Sequence, residues 1–81
     1  MSSRTVAETR LRYLYRARLL LYRAKMYLEL IARSFPARTS READIKWEWE
    51  RFIENLEEKV IAWVEKKILE MEEELREAGE Q

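Results

Sequence analysis

The sequence predicts an all-α fold: an antiparallel two-helix hairpin that completes a four-helix or larger bundle by homo-oligomerisation. Three observations predict it. One Gly and one Pro in 81 residues leave little material for turns. Apolar residues recur at helical spacing on both sides of a single break at Phe35-Pro36. A chain this short struggles to bury a sufficient core, and with no Cys and no His it has neither a disulfide nor the usual zinc ligands to staple it. Association with further copies is the remaining route to a core.

Taken in order, the elements form one domain over residues 1–81. Thr5-Val6-Ala7-Glu8 fits a capping box that opens helix one, expected over about residues 5–34. Pro36 disfavours the α conformation at Phe35 and so ends it, which makes residues 35–39 the loop. Thr39-Ser40-Arg41-Glu42 is a second capping box, with Ser40 a competing cap, and opens helix two over about residues 40–78. Gly79 suits the left-handed position just past a helix end. Asn55 is where helix two could break, although no Gly or Pro marks a break. At about 1.5 Å per residue the helices span about 45 and 58 Å, and so short a loop makes them antiparallel neighbours.

The faces differ. Helix two carries one broad apolar face of Ile45, Trp49, Phe52, Ile53, Leu56, Val60, Trp63, Val64, Ile68, Met71 and Leu75, with acids over most of the rest. Trp47 points away from that face. On helix one, Leu14, Ala17, Leu21, Ala24, Leu28, Ile31 and Phe35 step by three and four, widened by Tyr13, Leu20 and Tyr27. This seam is expected to meet Trp49, Phe52, Leu56, Val60, Trp63 and Val64. A second stripe, Leu11, Tyr15, Leu19, Tyr22, Met26 and Leu30, lies on roughly the opposite side. A single hairpin partner covers one stripe only, so the second is the expected oligomer interface. Its Tyr and Met content suits that role.

Net charge is zero, but the distribution is split. Residues 1–41 carry ten Arg/Lys against Glu8 and Glu29, a net of +8, and residues 42–81 carry six against fourteen acids, a net of −8. Glu50, Glu54 and Glu58 stack at i, i+4, i+8 and are expected to face Arg16 and Arg23 across the hairpin, selecting the antiparallel register. Arg10, Arg12, Arg16, Arg18, Arg23 and Lys25, interleaved with tyrosines, are the candidate contacts to an anion or RNA, because the Arg fork matches phosphate and stacks on bases. Neutralisation by the acidic half is the favoured reading of this cluster. Nucleic acid is therefore a possible partner but not the expected one.

Catalytic material is sparse. Without His or Cys no Ser-His-Asp or Cys-His arrangement exists, and the lone Gly79 forms no phosphate loop. Glu72-Glu73-Glu74 reads as a solvated face, since carboxylate metal sites in bundles pair Glu with Glu-x-x-His. No enzyme activity, cofactor or metal is expected. No apolar run approaches the roughly 20 residues of a membrane span, so a soluble, cytoplasmic-type protein is the expectation.

Two resemblances follow. The capping boxes at Thr5 and Thr39, Gly79, and the near absence of Gly, Pro, Cys and His resemble a de novo designed helical-bundle protein. The hairpin that needs a twin is similar in architecture to the Rop-type RNA-binding proteins, which are dimers of helical hairpins; no sequence motif is shared. The two imply different roles: a structural, self-assembling bundle in the first case, an RNA-binding adaptor using the Arg face in the second. Docking of a partner protein helix on the Tyr/Met stripe is a third reading.

Overall fold

The computed structural model describes residues 3–80 and is helical on both sides of one loop. α1 runs Ser3–Ser34 and α2 runs Ser40–Asn55. A single π-helical segment, Leu56–Ile61, leads without interruption into α3, Ala62–Glu80. The second rod packs back along α1, and the molecule measures 62 × 15 × 15 Å.

The capping chemistry holds at one helix start and not at the other. Thr39 is extended and its hydroxyl accepts from the Glu42 amide at 3.2 Å, so Thr39, not Ser40, is the cap. The return bond lands one residue early: the Glu42 carboxylate accepts from the Arg38 amide at 3.5 Å. Thr5, by contrast, lies inside α1, which has already begun by Ser3; its carbonyl accepts from the Thr9 hydroxyl at 2.9 Å. Gly79 also lies inside a helix and does not adopt positive φ, because α3 continues through it.

The seam between the rods differs from the expected one by one residue at alternate positions. The side chains of α1 turned inward are Leu11, Leu14, Arg18, Leu21, Lys25, Leu28 and Ala32, followed by Phe35. Leu14, Leu21, Leu28 and Phe35 were expected there. Lys25 and Ala32 replace Ala24 and Ile31, Arg18 is half-buried beside an equally half-buried Ala17, and Leu11 joins the core instead of an outer surface. Arg and Lys serve in a seam because their aliphatic stems cover apolar neighbours while the charged heads reach its edge. On the other rod the inward positions are Glu42, Lys46, Trp49, Ile53, Leu56, Ile61, Val64, Ile68, Met71 and Leu75. Phe52, Val60 and Trp63, expected in the seam, are exposed.

That second series explains the π segment. Its steps are three or four residues throughout, except for one step of five from Leu56 to Ile61. A regular α-helix would carry every later position about 100° off the seam. The π segment takes up the extra residue through a wider turn, with the Ala62 amide bonding to the Glu57 carbonyl five residues back. Asn55 thus precedes an irregularity that the helix absorbs without a break. Beyond it, Leu11, Val64 and Ile68 form a buried cluster, flanked by Leu14, Leu21, Met71 and Leu75. At the loop end, Phe35 lies against Trp49 with ring centroids 5.6 Å apart.

Candidate functional site

Each rod presents a flank on either side of the seam, and the two flanks differ in chemistry. On α1, residues one position before the seam are rotated by about 100° to one side and residues one position after it to the other. In an antiparallel pair, like offsets share a side. Tyr13 and Ala17 line one groove with Trp63 and Lys67, which fixes the first flank. The hydrogen bond from Tyr15 to Glu72 at 2.7 Å, and that from Tyr22 to Glu65, fix the second.

The Trp63 flank is apolar along α1 and mixed along the other rod. α1 contributes Tyr13, Ala17, Leu20, Ala24, Tyr27 and Ile31, stepping by four and three as a complete second heptad seam. Opposite lie Ile45, Phe52, Val60 and Trp63. Tyr13 is 70% exposed, Tyr27 60%, and Phe52 and Trp63 57% each. The acids Glu48, Glu70 and Glu74 and the base Arg10 line its grooves, and Lys67 sits 5.4 Å from the centre of the Trp63 ring.

The Tyr22 flank is apolar on α1 and acidic on the other rod. Tyr15, Leu19, Tyr22 and Met26 of the expected interface lie here and remain exposed. Leu30, also exposed, lies further round α1. The hydroxyls of Tyr15 and Tyr22 are not left to solvent: they donate to Glu72 and Glu65. Those hydrogen bonds are the largest cause that raises both phenols above the ordinary tyrosine value, with desolvation and carboxylate repulsion adding to it. The signal was present in the sequence. Both tyrosines and both glutamates are spaced by seven, and one pair ascends while the other descends, as antiparallel register requires.

The six basic candidates do not form one face. Lys25 lies in the seam, 3.0 Å from Glu57 and 3.6 Å from Glu29. The Glu57 hydrogen bond is the main cause that raises its pKa, while partial desolvation opposes it. Arg18 is half-buried with its guanidinium 5.4 Å from the Tyr15 ring centre. Arg10 lines the Trp63-flank groove, and Arg12, Arg16 and Arg23 are exposed. Glu50, Glu54 and Glu58 make none of the expected ion pairs with Arg16 and Arg23; among the described residues, the ion pair that joins the two rods is Lys25–Glu57. The remaining ion pairs lie within single helices, as in Arg4–Glu8 and Lys67–Glu70. Trp47 is exposed, with Arg51 5.2 Å from its ring centre.

Among the described residues, no three metal-ligating side chains come together, and no helix is long and apolar enough to cross a membrane. Comparison with known proteins gives no relative: no protein-family model, curated protein or solved structure matches the chain.

Proposed function

We propose that the chain is a structural, non-catalytic building block whose hairpin self-associates into a bundle of four or more helices. The observation that carries this reading is the arrangement of large apolar side chains exposed outside the seam. The hairpin exposes 6704 Å², whereas a monomeric protein of 9.9 kDa presents about 5,200 Å² by surface–mass scaling. Tyr13, Leu20, Tyr27, Phe52 and Trp63 are each more than half exposed on the Trp63 flank, and contiguous apolar surface marks an interaction site. The heptad spacing of its α1 half suits another helix better than a small ligand.

An RNA-binding role draws less support, because Lys25 and Arg18 are engaged inside the hairpin and Arg10 lies in the Trp63-flank groove, which leaves Arg12, Arg16 and Arg23 as the exposed arginines of one α1 face. Light scattering after size-exclusion chromatography tests the proposal directly. A mass of two or more chains at micromolar concentration is expected; a monomer that persists as concentration rises refutes it.

A further inference from the structure

We infer that the occupant of the Trp63 flank is a second copy of this chain, placed with its long axis parallel to the first and both loops at the same end. Each α1 then lies against the acidic rod of the other copy. The inference rests on the self-association reading and specifies its geometry.

Three observations lead to it. The first is angular. The two seams of α1, one toward its own hairpin partner and one on the Trp63 flank, are offset by a single residue and so by about 100°. A helix at the corner of a square four-helix bundle has its two neighbours in those directions. The second is area. The rods overlap over roughly 30 residues, about 45 Å, and two helices side by side are about 20 Å wide, so the flank offers about 900 Å² per copy. That exceeds the roughly 800 Å² per partner of a standard stable interface.

The third is charge, and it selects between two ways of stacking the flanks. If the twofold axis runs across the helices, α1 lies on α1 and the acidic rod on the acidic rod, each pairing like charge with like, and the loops fall at opposite ends. If the axis runs along the helices, the +8 half of one copy lies on the −8 half of the other at both contacts. Like charges brought together oppose the wrong arrangement even where individual surface pairs stabilise little. The side chains agree in level. Tyr15 is level with Glu72 and Tyr22 with Glu65. In the parallel-axis dimer Arg10 and Arg16 therefore come level with Glu70 and Glu74 of the partner subunit. Nearer the loops, Ala24, Tyr27 and Ile31 come level with Phe52, Val60 and Trp63 of the partner subunit. The Tyr22 flank offers a second copy less apolar surface, because Glu50, Glu54, Glu65 and Glu72 occupy its other half.

The chain has no Cys, so Ala37→Cys in the exposed loop gives one spin label per copy. Pulsed electron–electron resonance on the assembled protein is expected to give a label-to-label distance below about 30 Å, the scale of the bundle's width. A distance near the 62 Å length of the hairpin overturns the orientation while leaving self-association standing. A monomeric mass overturns both. The flank is tested separately. Tyr13→Glu with Trp63→Glu touches no core residue and is expected to reduce the mass to one chain at unchanged helicity. Leu19→Glu with Tyr22→Glu is expected to leave the dimer mass in place. If the second pair dissociates the assembly and the first does not, the assignment of the flank is wrong.

Discussion

Deleting Glu58 tests the account of the π segment. Glu58 is exposed and lies within Leu56–Ile61, where the seam takes its single step of five. Removing it makes that step four. The three-and-four series then runs unbroken through the second rod, and an ordinary α turn replaces the π turn. No seam residue is lost, Glu57 keeps its place opposite Lys25, and the chain orders one residue fewer, which relieves roughly 1–2 kcal/mol of backbone entropy against one lost helical position. A change within about 1 kcal/mol of the parent is expected, a shift in Tm of no more than about 8 °C for a domain of this size. Deleting Arg23 is the contrast. Arg23 is equally exposed, but α1 has no irregular turn to absorb the change. One end of α1 must rotate by about 100°, which takes Leu11, Leu14 and Leu21 out of the seam, or else Leu28, Ala32 and Phe35. Three leucines at about 1.5–3 kcal/mol each come to about 5–9 kcal/mol. The whole stability expected of 81 residues is about 4–12 kcal/mol. Thermal unfolding followed by far-ultraviolet circular dichroism at one fixed chain concentration should show a cooperative transition near the parent for the Glu58 deletion. For the Arg23 deletion it should show a loss of about 20 °C or more, or no transition. Equal destabilisation by the two deletions refutes the reasoning.

Other predictions follow from single features. Thr39→Ala removes the hydroxyl that accepts from the Glu42 amide and should cost about 0.5–2 kcal/mol in denaturant unfolding, with Thr39→Ser restoring most of it. Gly79→Ala should stabilise by up to about 1 kcal/mol, because Gly79 is helical and an added Cβ meets only the Arg4 guanidinium at 3.6 Å, an ordinary contact; a loss of stability would place a left-handed cap there after all. Tyr15 and Tyr22 ionise above the ordinary value of 10.0, chiefly because their hydroxyls donate to Glu72 and Glu65. A folded-state pKa above the unfolded one contributes stability that is complete below pH 10.0 and is lost as pH rises through the folded value. Tyr15→Phe with Tyr22→Phe should therefore remove the late component of the ultraviolet titration, and an unchanged curve shape refutes the assignment.

Much of the architecture was legible in the sequence for simple reasons. Pro36 can end a helix and Thr39 can cap one whatever the rest of the chain does, so the loop at residues 35–39 and the start of the second rod stand where local chemistry puts them. The seam was harder to read because helix one is apolar on three sides. Wheel arithmetic preferred Ala17, Ala24 and Ile31 to Arg18, Lys25 and Ala32, since a charge at an inward position looks like an error. Nothing local distinguishes a lysine whose stem lines a seam from one that points to solvent. The difference lies in Glu57, which stands opposite Lys25 only once the register is set. The one-residue slip after Leu56 was hidden for a related reason: Val60 and Ile61 are both apolar, and either could continue the stripe.

The one-residue error in the seam has a consequence for the outer surface. With Ala17, Ala24 and Ile31 assigned inward, Tyr13, Leu20 and Tyr27 are merely the broad edge of a single core. With Arg18, Lys25 and Ala32 inward, all six fall together on one flank, and Phe52, Val60 and Trp63 join them from the other rod. A seam that holds charge at Arg18 and Lys25 and a flank that exposes aromatic rings are therefore two results of one choice of register. The seam keeps charge at Arg18 and Lys25, while the flank carries aromatic and aliphatic side chains together with Glu48, Lys67, Glu70 and Glu74. In a hairpin that worked alone, that distribution would leave Tyr13, Tyr27, Phe52 and Trp63 largely in water. In an assembly the flank becomes core, and Lys25 with Glu57 then fixes register in a seam whose apolar content is not its only determinant.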